Sequence, residues 1–89
     1  MIVYRRLWPT DSTAYADHLA RLTREQRYYR FGGFVDDGYL SNKTKSIDWL
    51  RCISFGCFVD GVLRGAVFVI RAHNGWMDEA ELAITVESE

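Results

Sequence analysis

The clearest hydrophobic pattern lies between Cys52 and Arg71, where two apolar runs flank Asp60-Gly61. An Asp-Gly pair between such runs favours a two-residue hairpin turn, because both turn positions need a positive φ. We therefore predict two antiparallel strands, over about residues 52–59 and 62–70.

The second arm of this hairpin and the last stretch of the chain differ in pattern. Residues 66–70 contain no polar side chain, so we expect this arm inside the sheet with cover on both faces. Gly65 predicts a bulge or a close backbone approach. Residues 79–87 predict a final strand with alternating faces. One face carries Ala80, Leu82, Ile84 and Val86, and the other carries Glu81, Ala83, Thr85 and Glu87.

The first part of the chain predicts a strand and then a helix. Residues 2–7 are typical of a strand that Pro9 ends, because proline has no amide proton for the ladder. Apolar residues then recur at helical spacing, which predicts a first helix at about 12–22.

Further helical segments follow before the hairpin. Residues 23–26 have the form of a capping box and start a second segment, which Gly32-Gly33 ends. Asp36 or Asp37 can cap another segment to about Ser46, although it contains poor helix formers. The order β-α-α-β-β-β predicts one domain over residues 1–89 of the α/β (α+β) class. We expect a mostly antiparallel sheet with helices packed on it.

Composition narrows the class of protein. The chain has 89 residues, of which 48% are hydrophobic and 26% charged, which favours one small domain with a rich core over disorder. A net charge of −1 gives no electrostatic footprint for nucleic acid. No apolar run approaches the ~18 residues of a membrane span, and the N-terminal residues do not read as a signal peptide. We therefore expect a cytoplasmic protein with no membrane partner.

Cysteine and histidine positions predict neither a disulfide framework nor a metal site. Cys52 and Cys57 fit no C-x-x-C motif, and we expect both as buried thiols. His18 falls on a predicted helix and His73 in a predicted loop over 72–76, with no second ligand at metal spacing.

Three strings and their order resemble the N-terminal portion of the GNAT-type N-acetyltransferases. Residues 27–31 resemble the R-x-x-R-F string between the two helices of many bacterial members. Residues 58–65 look like the hairpin of the second and third strands, and residues 80–86 are similar to the fourth strand. The resemblance implies a truncated GNAT-like fold that uses acetyl-CoA.

One diagnostic motif of that family does not occur in these 89 residues. The string Q/R-x-x-G-x-G/A would begin a few residues beyond Val86. In the family, this loop and the helix after it hold the coenzyme pyrophosphate through backbone N–H groups. We therefore expect the chain to lack the C-terminal half of the domain and to be inactive by itself.

The resemblance also implies site residues on the last strand. Glu81 matches a carboxylate that serves as general base, since an ammonium must lose a proton before it attacks the thioester. The alternative is an ordinary solvated Glu. Ile84, Thr85 and Val86 match the segment whose backbone pairs with the pantetheine arm of acetyl-CoA. The alternative is pairing with another strand, including one from a second copy of the chain.

A third set of implied residues lies after the second helix. Arg30, Phe31, Gly32 and Gly33 match the loop on the substrate side of the family, where glycines permit close approach of a ligand. The alternative is a helix C-cap followed by a turn.

Two functional hypotheses follow from these observations. In the first, the complete form transfers an acetyl group from acetyl-CoA to an amine that the sequence does not identify. In the second, a GNAT-like chain acts as a non-catalytic homodimeric or small-ligand-binding module, with the last strand or its apolar face paired across a two-fold axis.

Overall fold

A computed structural model describes residues 1–49, 51–74 and 77–87, with the backbone alone at residues 71–74 and 77–81. It has four strands and three α-helices, and a short 3₁₀ helix at Pro9–Asp11 precedes the first of them. Within the described residues, no helix is long and apolar enough to cross a membrane. The elements are β1 (Ile2–Arg6), α1 (Ser12–Ala20), α2 (Arg24–Phe31), α3 (Asp37–Lys45), β2 (Cys52–Val59), β3 (Val62–Asn74) and β4 (Met77–Val86).

The strands form one sheet in the order β1-β2-β3-β4, and each neighbouring pair is antiparallel. This arrangement confirms the predicted α+β fold with a mostly antiparallel sheet. The predicted hairpin is present, with positive φ at Asp60 (50°) and Gly61 (83°). The register of β2 against β3 shifts between Cys57 and Phe58, opposite Gly65, so the predicted bulge is confirmed.

Capping interactions set the ends of the helices. Thr23 and Gln26 form the reciprocal capping box at the start of α2, and Gly32 ends that helix with φ 73°. The side chain of Asp36 accepts a hydrogen bond from the Tyr39 amide and so caps α3.

Several element boundaries differ from the prediction; among them, β4 begins at Met77, two residues early. The first helix ends at Ala20, two residues early, and the predicted loop at 72–76 is strand through Asn74. Residues 75 and 76 lie outside the described part of the chain. The antiparallel pairing of β3 with β4 continues through His73 to Asn74, because ladder bonds do not need apolar side chains.

The helices cover one face of the sheet, and the core lies between them. Leu19 of α1, Leu40 of α3, and Leu63 and Phe68 of β3 are buried there. The expectation that residues 66–70 are covered on both faces is wrong within the described residues, because Val69 on the other face is 38% exposed. The expectation that both cysteines are buried is confirmed for Cys52. It is wrong for Cys57, which lies on the other face of the sheet and is half-buried.

The sheet face away from the helices is apolar and open among the described residues; we term it the open face. Directly opposite residues of neighbouring strands share a face, and Tyr4, Cys57, Gly65 and Val86 are such a set. The large exposed side chains on this face are Ile2, Tyr4, Ile53, Phe55, Val62, Val69, Leu82, Ile84 and Val86. The face therefore crosses all four strands.

Candidate functional site

The outer edge of β4 carries backbone groups that β3 does not use. The Glu87 amide donates to the carbonyl of Arg64 over 2.9 Å, so residue 87 pairs with β3. Because antiparallel residues alternate between the two sides of a strand, the backbone groups of Leu82, Ile84 and Val86 face away from β3. Within the described residues, no further strand pairs with this edge.

A groove of about 420 Å³ separates this edge from α2; we term it the edge groove. Its helix side contains Gln26, Tyr29 and Arg30, and its other side is the β4 segment 82–86. Gln26 Nε2 crosses the groove and donates to the Val86 carbonyl over 2.9 Å. One edge acceptor is therefore already occupied by a side chain of the protein.

The three predicted coenzyme-binding residues lie together, but they differ in what they present to the edge groove. Ile84 and Val86 direct backbone groups to it, whereas Thr85 directs its own to β3. Thr85 is buried, and its hydroxyl lies 2.8 Å from Nε2 of His18. The side chain of Thr85 thus connects β4 to α1.

Thr85 belongs to a buried polar cluster that we term the α1–β4 cluster. His18 is 0% exposed, and its Nδ1 lies 3.1 Å from Oε1 of Glu87. The Glu87 carboxylate also accepts from Arg21 Nε and from Arg64 Nη1, each over 2.7 Å. A second Arg21 donor reaches the Leu63 carbonyl over 2.8 Å. The cluster therefore joins α1, β3 and the end of β4.

Burial and hydrogen bonding set the charges of this cluster. Burial lowers the pKa of His18 below 6.5, although the hydrogen bond with Glu87 opposes that effect. Burial by itself would raise the pKa of Glu87, but hydrogen bonds from Arg64, Arg21 and His18 outweigh it and hold that pKa below 4.5. Near pH 7, His18 is therefore neutral, and Glu87 is ionised between two guanidinium groups.

A second cavity, of about 340 Å³, lies under the helices; we term it the inner cavity. Its apolar wall includes Tyr15, Phe31 and Phe68. Burial raises the pKa of Tyr15, and the neighbouring Arg30 partly offsets that effect. The charged side chains on the wall of this cavity, among those that the structure describes, are Arg30, Lys43, Asp48 and Arg51.

Arg30 lines both the edge groove and the inner cavity, so the two spaces adjoin at this side chain. Its guanidinium lies 4.7 Å from the ring centroid of Phe31, which also lines the inner cavity. Gly32 and Gly33 line neither space. Gly32 instead ends α2 in the left-handed conformation, as the alternative interpretation expected.

The register places Glu81 beside the inner cavity. Its Cα is paired with that of Ile70, and Ile70 lines the cavity. The side chain of Glu81 lies outside the described part of the chain, so its role as a general base stays a prediction.

Sequence reasoning missed His18, Glu87 and Gln26. His18 and Glu87 are 69 residues apart, and no local spacing connects them. Thr85 and Glu87 do share the polar side of the final alternation, which was the available signal for a polar contact. Gln26 was recognised for its capping role, while its second bond, to Val86, depends on how α2 packs beside β4.

Comparisons with known proteins connect this geometry to one fold. No protein-family model matches the sequence, and no curated protein matches it. The GNAT domain of S. lividans PAT aligns with 94% of this chain at 18% identity and a TM-score of 0.68. A predicted acetyltransferase from Clostridium acetobutylicum, solved with acetyl-CoA, aligns with 98% at 10% identity and a TM-score of 0.65.

A third similar structure is the ribosomal-protein-alanine N-acetyltransferase of Brucella melitensis biovar Abortus 2308, with 20% identity, 98% coverage of this chain and a TM-score of 0.56. The chain spans 52%, 60% and 57% of the S. lividans, C. acetobutylicum and B. melitensis proteins, respectively. The chain thus has the fold of the GNAT acetyltransferases, over about half of their length.

Proposed function

We propose that this chain supplies half of the site of a GNAT-type N-acetyltransferase, which in its complete form transfers an acetyl group from acetyl-CoA to an amine. The observation that supports this most is the edge groove, where backbone groups of Ile84 and Val86 face a cavity lined in part by Arg30. An exposed strand edge can pair with an extended amide-containing ligand such as the pantetheine arm.

The proposed roles follow the two adjoining spaces. Ile84 and Val86 pair with the pantetheine amides at the edge, while Thr85 holds the strand to α1 through His18. Acetyl-CoA supplies a thioester carbonyl, which the neutral amine attacks to form an amide and release the thiol. Glu81 takes a proton from the acceptor's ammonium group before the attack, which leaves the neutral amine, and Arg30 and Phe31 contact the acceptor.

The 89 residues contain no Q/R-x-x-G-x-G/A string, so these residues supply the pantetheine edge and not the pyrophosphate site. We expect the isolated chain to bind acetyl-CoA more weakly than the micromolar range and to have no acetyl-transfer activity by itself. Micromolar binding in a calorimetric titration would contradict this division of the site.

The edge can be tested with acetyl-pantetheine, which lacks the phosphates. In the ¹⁵N-labelled chain, we expect the amide signals of Ile84 and Val86 to shift on titration. Ile84→Pro removes one edge donor, and proline is tolerated at a sheet edge, so this variant should lose the shift at Val86. The matched control, Ile84→Ala, keeps the donor and should respond like the wild type. Equal binding by the proline variant would refute the proposed edge pairing.

The open face supports a second candidate, a non-catalytic module that pairs with a second copy of itself. Leu82, Ile84 and Val86 are 61%, 55% and 63% exposed. With the rest of the open face, they form an exposed apolar surface that crosses all four strands, and each partner of a standard interface buries ~800 Å². Two such faces can stack as packed sheets do.

Light scattering distinguishes this candidate. We expect a dimer whose mass falls to that of a monomer in Phe55→Glu, a change near the middle of the open face. Phe34→Glu is the matched control, because Phe34 is 61% exposed after the end of α2 and lines neither the edge groove nor the open face. A wild-type chain that stays monomeric at high concentration would rule out self-pairing.

A further inference from the structure

We infer that the inner cavity binds its ligand through an anionic group, so that the acceptor is a small amine that also carries a carboxylate or a phosphate. That this ligand is the acceptor of the acetyl group rests on the proposed function, whereas the anion site rests on the cavity alone. Its volume of about 340 Å³ lies at the small end of the ~300–1,000 Å³ found for ligand pockets, which favours a small molecule.

Among the described side chains, the charges around the inner cavity are unbalanced. Arg30, Lys43 and Arg51 line it with a single described carboxylate, that of Asp48. Asp48 lies 3.4 Å from Arg51, and both side chains are largely exposed, at 56% and 82%. Lys43 and Arg30 have no ion pair among the described residues. The cavity thus offers two cations that the described part of the protein does not neutralise.

Arg30 has the geometry of a donor prepared for a ligand. Its Nε is buried and has no hydrogen-bond partner in the described structure. Its guanidinium group is held against the ring of Phe31, which fixes the plane of the donors. A planar guanidinium suits a carboxylate or phosphate, which can accept two parallel hydrogen bonds. An anion in the cavity would therefore satisfy a donor that is otherwise left unbonded.

The apolar wall indicates how the rest of the ligand lies. Tyr15 and Phe68 pack 4.7 Å apart between ring centroids, and both line the cavity. An aliphatic segment can lie on these rings while the anionic group meets the cations. The amine end can then reach the side where Ile70 pairs with Glu81 and where Arg30 opens to the edge groove.

The test titrates the 89-residue chain with four primary amines of similar size and different charge. 4-Aminobutyrate and O-phosphoethanolamine carry the required anion, whereas 4-aminobutanamide and 1,4-diaminobutane do not. Binding is followed by NMR through the Arg30 Nε–H signal and the Phe31 amide. We expect at least one of the two anions to bind about tenfold more tightly than 4-aminobutanamide or 1,4-diaminobutane, as loss of a charge-assisted bond implies. Which anion binds more tightly distinguishes a carboxylate from a phosphate ligand.

Two lysines of α3 provide the matched pair of variants. Lys43→Gln removes a cation from the cavity wall and should weaken binding of the preferred anion several-fold. Lys45→Gln, in the same last turn but outside the cavity, should leave binding unchanged. Arg30→Gln should abolish the preference for anions, and its melting temperature reports whether it folds. Equal affinity for 4-aminobutanamide and both anions, or an unchanged affinity in Lys43→Gln, would overturn the inference.

The outcomes separate this inference from the proposed function. Anion binding without any response of the edge amides to acetyl-pantetheine would support the anion site and count against acetyl transfer. A response of the edge amides without an anion preference would support the coenzyme edge and overturn the anion site.

Discussion

Glu87 is the side chain on which the α1–β4 cluster depends, and Glu87→Gln tests that role. Its carboxylate is 6% exposed and bonds to Arg21, Arg64 and His18. Glutamine has nearly the same shape, but it lacks the charge. Its amide NH₂ group would also face one of the groups that donate to the Glu87 carboxylate. The change therefore removes the attraction without creating a cavity.

The cost of this substitution can be worked from the exposure of the partners. Hydrogen bonds to charged groups contribute ~1.5–3 kcal/mol each. Arg21 and Arg64 are 36% and 47% exposed, so water replaces part of the hydrogen bonding that they lose. Each of these two bonds therefore contributes about 1 kcal/mol or less to the free energy of unfolding. His18 is fully buried, so water does not replace its lost hydrogen bond to Glu87, and the loss of that bond has its full effect on stability. We expect a loss of about 2–3 kcal/mol, from the ~4–13 kcal/mol typical of this chain length.

The pH dependence distinguishes the charge from the shape of Glu87. The folded-state pKa of Glu87 is held below 4.5, so the unfolded chain binds more protons as the pH falls. The stability that this group contributes is therefore present above pH 4.5 and lost below it. A protonated Glu resembles Gln, so the wild type and the variant should converge in strong acid. Both should also lose stability below pH 6.5, because the pKa of the buried His18 is lowered.

Urea unfolding followed by circular dichroism, near pH 7 and at about pH 3.5, measures both effects. Glu25→Gln is the control, because Glu25 lies exposed in the first turn of α2 and its loss should cost under ~0.5 kcal/mol. A gap between the wild type and Glu87→Gln below ~0.5 kcal/mol near pH 7 would refute the reasoning. So would a gap that does not narrow in acid.

Three further changes have defined outcomes. Gly56→Ala places a methyl group 2.7 Å from Leu63 and should cost ~1–3 kcal/mol by overpacking, whereas Gly33→Ala meets no atom within 4 Å and should be nearly neutral in the same urea assay. Thr23→Ala removes the α2 cap and should cost ~1 kcal/mol, while Thr13→Ala, exposed within α1, should not destabilise. Gln26→Glu keeps the acceptor of the capping box but removes the donor to Val86, so thermal melting should change little while the Val86 amide environment changes by NMR.

Local chemistry made the elements predictable. The turn at Asp60-Gly61, the capping box of α2 and the bulge at Gly65 each depend on residues close in sequence. The alternation of the last strand was also visible, and the structure confirms that Leu82, Ile84 and Val86 share one face.

The direction of that last strand relative to the helices could not be predicted. Hydrophobic alternation normally places the apolar side toward the core. In this chain, the polar side faces the helices: Thr85 is buried, while Ile84 is 55% exposed. The reversal depends on His18, which lies 67 residues away from Thr85 and supplies the bond that makes burial of its hydroxyl tolerable. No pattern within β4 contains this information.

The same reversal explains why the open face and the candidate site occur together. Because Thr85 and Glu87 hold β4 to α1 through polar contacts, the apolar side chains of the strand remain available on the open face. The edge groove lies between α2 and that strand, so its width depends on the α1–β4 cluster as well as on Gln26. Gln26 already donates to the Val86 carbonyl, so a ligand that pairs along this edge must displace it there. No described side chain bonds to the backbone of Ile84 in this way, and an extended ligand would therefore form its first bonds at Ile84.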